Sequence, residues 1–317
     1  MIALTGAASF IGQHLIRFLS TDDAVEMRIL IHENKPKGLM DRKGLVPVEG
    51  DLLKPDTLTR LFEPDCTVIN LAYLNRPPIR ENLDAVENLV KHCIKARTKR
   101  LVHCSTATVV GGVPDNVITE ETLCNPNSEY ETTKLQIEEL LKEKARNHFE
   151  LVILRPTAVF GPGGKNLLKL TDDLTQGKLL TNYLKSCLFN RRKMNLVFVE
   201  NVVSALSFLA FTSQKIDQEL FIISDDENPM NNYWEIEKYL IKELGYQDYP
   251  VPRIPLPKTM LSALLRLAGK SNSNPNRIYS SQKIQSIGFQ KKTSFEAGLS
   301  SFAKWYKKTY LPPKQEE

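Results

Sequence analysis

The sequence has no apolar run long enough to span a bilayer, no glycine- or proline-rich tract and no block of one charge sign, and each absence removes a class of protein. Fifteen glycines and 18 prolines in 317 residues are too few for a collagen-like, mucin-like or linker chain. The apolar stretch 260–268, with Met260, Leu261, Leu264, Leu265 and Leu267, is about half the ~20 residues of a transmembrane helix. It reads as an amphipathic packing helix, so no membrane partner is expected. Cys66, Cys93, Cys104, Cys124 and Cys187 are an odd set without a C-x-x-C pair. That excludes a disulfide framework and a zinc ribbon and fits a reducing, cytoplasmic setting. The histidines (His14, His32, His92, His103, His148) show no metal-ligand spacing, so no metal is expected. Forty-two Lys and Arg against 37 Asp and Glu leave +5. So mild an excess suits a phosphorylated small molecule better than nucleic acid, whose binders concentrate a basic stripe. The one dense cluster is Arg191-Arg192-Lys193. Residues 1–20 lack a basic leader and carry Gly6, Gly12 and His14, which reads as part of the fold and not as a signal peptide.

What is present is a balance of 42% hydrophobic and 25% charged residues, that of a folded chain with one large domain or two coupled ones. Short apolar runs alternate with stretches of helical period. Ile2-Ala3-Leu4 precedes Ile11, Leu15, Phe18 and Leu19; Ile29-Leu30-Ile31 and the run 45–48 come next; Val68-Ile69 precedes Leu83, Val86, Leu89 and Val90. Leu101-Val102 comes before the helical stretch 130–146, and 151–154 closes the series. Strands that are apolar throughout are buried on both faces, which predicts a doubly wound α/β domain with a parallel sheet. The runs 196–199 and 220–223 are expected to return to that sheet. This pattern sets a dinucleotide-binding part at 1–164, with return segments near 196–224. A smaller mixed α/β part then covers 165–195 and 225–317, and 271–276 is a polar loop.

Thr5-Gly6-Ala7-Ala8-Ser9-Phe10-Ile11-Gly12 stands directly after the first strand and opens the first helix. There Gly6 permits the tight turn, Gly12 brings helix close to strand, and the helix N-terminus offers free N–H groups to a pyrophosphate. Ser9 stands at the middle glycine of the usual pattern and can donate to a phosphate oxygen. About twenty residues on, where a carboxylate would grip the ribose of NAD, stand His32, Glu33, Asn34 and Lys35. Without that first carboxylate, and with Lys35 able to pair with a 2′-phosphate, the NAD(P) expectation tilts toward NADP; Glu33 leaves NAD open. Gly50-Asp51-Leu52 would put Asp51 beside the adenine. In Tyr130-Glu131-Thr132-Thr133-Lys134 the tyrosine and lysine share a helix face. A cation beneath the phenol is expected to lower its pKa from about 10 and make it a general acid or base. A hydroxyl from Ser105-Thr106, at the end of the strand before it, could hold the substrate oxygen.

These motifs make the chain resemble an extended short-chain dehydrogenase/reductase of the NAD-dependent epimerase/dehydratase family. The resemblance extends to Asn70-Leu71-Ala72, Asn82 and Asn88, Thr119-Glu120, Asn125-Pro126, the run from Leu154-Arg155-Pro156-Thr157 to Gly161-Pro162-Gly163, 198–202, Ile287-Gly288-Phe289 and Trp305-Tyr306. It implies a Rossmann-type doubly wound sheet with a smaller mixed α/β substrate domain. It assigns Thr106 the catalytic Ser/Thr role, with Ser105 beside it, Tyr130 the acid/base role, and Lys134 the ribose contact. Cofactor contacts are expected at Gly6, Ser9, Phe10, Ile11, Gly12, His32, Lys35, Asp51, Leu52, Leu71, Ala72, Tyr73, Asn88, Tyr130, Lys134, Pro156 and Thr157. Members that dehydrate place Asp-Glu after the catalytic Ser/Thr. Here Ala107-Thr108 stand there, which speaks against elimination and leaves 4-epimerisation or keto-sugar reduction. Val110 and Ala158 replace an aromatic and an Asn common in sugar-nucleotide members.

The substrate expected is a nucleotide-diphosphate sugar, clamped by Arg191, Arg192 and Arg277, whose guanidinium groups pair with phosphate. A reductase of a non-nucleotide ketone or aldehyde is a second reading, and a non-catalytic dinucleotide sensor a third. Leu135, Ile137, Leu140 and Leu141 suggest either a homodimer through paired helices or a core face.

Overall fold

The computed structural model describes residues 1–20, 25–35, 38, 42–74, 78–257, 259, 261–263 and 274–311. The packing helix read at 260–268 lies outside them except for 261–263, as does the first half of the polar loop at 271–276. Among the described residues seven parallel strands form the main sheet: β1 (Ile2–Thr5), β2 (Met27–Ile31), β3 (Leu45–Glu49), β4 (Thr67–Asn70), β5 (Arg100–Cys104), β7 (Glu150–Pro156) and β10 (Glu219–Ile223). Their order is β10-β7-β5-β4-β1-β2-β3. The short strand β6 (Val117–Ile118) lies outside this sheet.

Alternate side chains explain why the strands are apolar on both faces. Ile2, Leu4, Val102, Val152 and Leu154 join one buried cluster with Leu15, Ile16 and Leu19 of α1 (Phe10–Leu19) and Val202, Leu206 and Leu209 of α6 (Val199–Phe211). Ala3, Leu101, Leu151 and Ile153 join the opposite cluster with Ala85, Val86 and Leu89 of α2 (Ile79–Lys95) and Ile137 and Leu141 of α3 (Glu129–Ala145). Strand residues pointing alternately up and down must each find a helix, so a polar residue at either parity would be stranded. Ile137 and Leu141 are thus core residues, and Leu140 packs half-buried on the same cluster.

One strand departs from the expectation. The run 220–223 does return to the main sheet beside β7, but β9 (Leu196–Phe198) pairs instead with β8 (Ala158–Phe160) in a separate two-stranded sheet. At Pro156 and Thr157 the chain leaves the sheet: the Thr157 amide makes a last bond to Ile223, and the Ala158 amide turns to Asn195 (2.9 Å). Phe160 then packs on Phe198 and Phe295, ring centroids 5.4 Å apart in both pairs, giving the small sheet its own aromatic core.

Among the described residues the later part of the chain adds α4 (Leu168–Gln176), α5 (Leu179–Phe189), α7 (Tyr233–Leu244), a short helix at Gln282–Ser286 and the helix Phe295–Tyr310. Strand β11 (Ile278–Tyr279) pairs with β6, tying this later half to the loop after β5. No helix among the described residues is long and apolar enough to cross a membrane.

Candidate active site

Strand order reverses at β1, whose neighbours are β2 and β4, and the chain leaves β1 and β4 in opposite directions at their carboxyl ends. A crevice opens at such a point. Gly6 makes the turn after β1 with φ +72°, and a Cβ there would lie 2.6 Å from the Leu71 carbonyl carbon; only glycine lets the two loops meet. Ser9 caps α1, its hydroxyl accepting from the Gly12 amide (3.0 Å). Accepting there leaves the hydroxyl its own proton to donate, and Ser9 lines the crevice with the turn residues.

The crevice is a cavity of about 460 Å³ walled by Gly6, Ala7, Ala8, Ser9, Leu30, His32, Glu33, Asn34, Asp51, Leu52 and the run from Leu71 to Leu74. His32 Nε2 lies 3.6 Å from the Asp51 carboxylate, and Asp51 also accepts from the Leu53 amide (2.9 Å). Glu33, just past β2, and Asp51, just past β3, thus both put a carboxylate at this wall. Asn88 stands outside the wall but donates to the Leu52 carbonyl (2.9 Å), holding that loop.

Two expected contacts are turned elsewhere. Lys35 lies 3.9 Å from Glu49 and lines a different depression with Arg28, Val46 and Arg60. The Phe10 ring packs on His14 and lines a cavity with Pro162, Gly163 and Trp305. Lys35 is exposed, near an exposed carboxylate on the neighbouring edge strand, and the Phe10 ring lies against His14 of its own helix.

β5 ends in the middle of the sheet and delivers Ser105 and Thr106 to the same edge. Thr106 caps the 3-10 turn Ala107–Val110 by accepting from the Thr108 amide (3.3 Å), and its hydroxyl lies 3.0 Å from that of Thr108. Ser105 Oγ is buried without a hydrogen-bond partner among the described residues. Across from them α3 starts with a capping box. Ser128 accepts from the Glu131 amide (3.3 Å), and Glu131 accepts from the Ser128 and Asn127 amides (3.2 and 2.8 Å). Such a box fixes where a helix begins. It puts Tyr130 in the first turn, 43% exposed, and Lys134 one turn on, buried.

The Tyr130 phenol faces the Thr106 hydroxyl, which favours its charged form, yet burial, with Cys104 and Tyr73 adding to it, pushes its pKa up to about 12. This corrects the expectation that Lys134 lowers it. The ammonium sits 4.7 Å from the centre of the Tyr73 ring and donates to the Cys104 carbonyl (3.4 Å), and burial lowers its own pKa. Desolvation penalises phenolate and ammonium alike, which pushes both groups toward their neutral forms.

Beyond Thr106 a second cavity of about 290 Å³ is lined by Ala107, Thr108, Thr157, Ala158, Arg192, Lys193, Met194, Asn195 and Tyr279. Of the three arginines read as phosphate clamps, Arg192 lines it, its buried Nε unpartnered and its pKa lowered by burial. Arg191 points away, 66% exposed, 3.9 Å from Glu235 and 5.5 Å from the Trp234 ring. Arg277 is 1% exposed and donates to the Gly111 (2.7 Å) and Val113 carbonyls. It locks the loop after β5 and is not free to grip a ligand. Lys193, Asn195 and Tyr279 were not singled out from sequence, although Lys193 belongs to the one basic cluster. Neither was the chain in which Thr5 donates to Asn70 (2.6 Å) and Asn70 to His103 (3.0 Å). Its signal, polar residues at the ends of three apolar strands, shows only once the strands are side by side. Tyr130 and Thr106 therefore stand between two cavities, one touching Tyr73 and the other Thr108. Among the described residues no group of three or more His, Cys, Asp or Glu is placed to hold a metal.

The sequence model of the NAD dependent epimerase/dehydratase family matches residues 2–223. UDP-glucose 4-epimerase of Vibrio cholerae is 28% identical over 289 residues, 86% of this chain and 83% of its own length. The 3beta-hydroxysteroid-dehydrogenase/decarboxylase isoform 2 of Arabidopsis thaliana is 25% identical over 295 residues, 83% of this chain. The chain spans 50% of the length of that isoform and 65% of isoform 1. Among solved structures the Bordetella bronchiseptica enzyme WbmH in complex with NAD+ has TM-score 0.75 at 19% identity, covering 97% of this chain and 98% of its own. A dTDP-glucose 4,6-dehydratase (DesIV) from Streptomyces venezuelae has TM-score 0.74 at 20% identity, covering 98% and 97%. At such identity the likeness is one of fold.

Proposed function

This chain belongs to the NAD dependent epimerase/dehydratase family, and on that footing we propose that it moves a hydride at a sugar carbon of a nucleotide-diphosphate sugar, as a 4-epimerase or a keto-sugar reductase. What supports the reading is the line of contacts from Tyr73 at the first cavity through Tyr130 and Thr106 to Thr108 at the second, with Lys134 against the Tyr73 ring. A bound nicotinamide dinucleotide supplies the hydride donor or acceptor. The first cavity suits one: glycine-turn backbone at the N-terminus of α1 for the pyrophosphate, and the Glu33 and Asp51 carboxylates for ribose hydroxyls. Lys35, the group that tilted the expectation toward NADP, lines another depression and not this cavity, and our proposal is NAD. Thr106 would donate to the substrate oxygen. Tyr130 would give that oxygen its proton in reduction and take it back in oxidation. Lys134 would hold ribose hydroxyls, and Arg192 with Lys193 would face the diphosphate.

A second reading, reduction of a ketone or aldehyde that carries no nucleotide, draws on Arg191 and Arg277 standing apart from the cavity and on the sterol dehydrogenases among the relatives. The test is to denature freshly purified protein, identify the dinucleotide released, and measure its stoichiometry and exchange. Near-stoichiometric, slowly exchanging NAD supports the epimerase, which must return the hydride to its own intermediate. A site that takes up reduced dinucleotide reversibly supports a reductase, and binding of UDP separates the sugar-nucleotide reading from the second one. If neither NAD nor NADP binds, the proposal is wrong.

A further inference from the structure

Resting on that reading of the first cavity, we propose that Tyr73 is a positioning residue, whose rigidly held ring fixes the Lys134 ammonium so that its free N–H groups meet the dinucleotide. The ring is held from both sides in sequence. Before it, the Ala72 amide donates to Asn70 Oδ1 (3.1 Å), and Asn70 is itself tied to Thr5 and His103. After it, Leu74 exchanges two bonds with the Asn82 side chain, its amide donating at 2.9 Å and its carbonyl accepting at 3.1 Å. Asn70 and Asn82 are 1% and 3% exposed. Two buried amides thus pin the residues on either side of Tyr73, and its side chain has a fixed stem.

From that stem the ring reaches both reactive residues of α3. It meets the Tyr130 ring edge to face, centroids 5.1 Å apart and planes at 85°, and the Lys134 ammonium lies 4.7 Å from its centre. Two other groups act on the ammonium, the Cys104 carbonyl and the Glu138 carboxylate. Its bond to the Cys104 carbonyl is long at 3.4 Å, and Glu138, one turn along the same helix, is taken by Arg155 at 2.5 Å. An aromatic face attracts a cation without accepting a particular N–H in the way a carboxylate does. An ammonium has three donors, so with one on Cys104 the other two stay available. A carboxylate in place of the ring would hold the cation as firmly but would occupy the donors that the dinucleotide needs.

The test is fluorescence titration with NADH of the wild type, Tyr73→Phe and Tyr73→Leu, each checked for native circular dichroism and melting temperature. Phenylalanine keeps the ring and leucine keeps apolar bulk without it. We expect Phe to bind within about twofold of the wild type and Leu to bind roughly three- to thirtyfold more weakly. Equal affinity of Phe and Leu would overturn the role of the ring. As a second measurement, Tyr73→Leu is added to Lys134→Met. No further weakening places the effect of Tyr73 on Lys134, whereas the same loss as in the wild-type background would mean that Tyr73 acts without it and would overturn the proposal. Failure of the wild type to bind either NADH or NADPH would overturn the reading of the cavity and this inference together, an outcome distinct from the Phe–Leu comparison.

Discussion

A phenol acts as an acid only while it holds its proton, and at the scale of single residues burial decides this for Tyr130. With its pKa pushed up to about 12, chiefly by burial and further by Cys104 and Tyr73, it is protonated throughout the neutral range. On the proposed reading it would give that proton to a substrate oxygen held by Thr106. In the reductive direction the rate should hold from about pH 6 to 9 and decline only as the phenol begins to ionise. A pH–rate profile that falls through neutrality would contradict this. Tyr130→Phe removes the proton and leaves the ring against Tyr73, so turnover should drop by roughly 10²–10⁴ while NADH titration shows little change. A variant with undiminished turnover would take Tyr130 out of the chemistry.

Among the elements, α3 matters most, because it carries both Tyr130 and Lys134 and must present them at one height above the sheet. Its start is fixed by the capping box at Ser128 and Glu131. Its body is fixed by Glu138, which accepts from Arg155 of β7 through two bonds, 2.9 and 2.5 Å, with both side chains almost wholly buried. A buried pair adds little net stability over an apolar one, but removing one partner strands the other charge. Glu138→Gln should cost about 3–5 kcal/mol in urea unfolding, and the double change Glu138→Leu with Arg155→Met should recover much of it. Loss of less than about 1 kcal/mol in the single variant would mean that Arg155 finds another partner or water.

For the molecule as a whole, one of the ties between the later half of the chain and the sheet is a buried carboxylate. Asp226, just past β10, accepts from Asn195 (2.7 Å), from Asn231 (3.0 Å) and from the Tyr279 amide (2.8 Å), joining segments far apart in sequence. Burial raises its pKa to about 6 in spite of those donors. The folded state therefore holds this proton more tightly than the unfolded chain does. The resulting stability is complete below the ordinary carboxylate range and is lost as pH rises through about 6. Unfolding midpoints should fall between about pH 4 and 6.5, and Asp226→Asn should flatten that slope. An unchanged slope in the variant would assign the dependence to other buried acids such as Glu237, whose pKa burial also raises.

The parts of this protein legible in its sequence are those that depend on neighbours along the chain. Apolar parity along 2–5, 100–104 and 150–156 announces a sheet buried on both faces. A glycine turn after a strand announces a helix N-terminus facing a crevice, and Tyr130 and Lys134 share a helix face because a helix repeats every 3.6 residues. What only the tertiary structure decided are contacts between segments that no periodicity links. It sent Lys35 to Glu49 and Arg277 to the Gly111 and Val113 carbonyls. It paired β9 with β8 instead of the main sheet, and it set Tyr73 over Lys134. A buried side chain such as Arg277 takes the partners that compensate its desolvation, and which partners lie near is fixed by packing across the fold and not by distance along the chain.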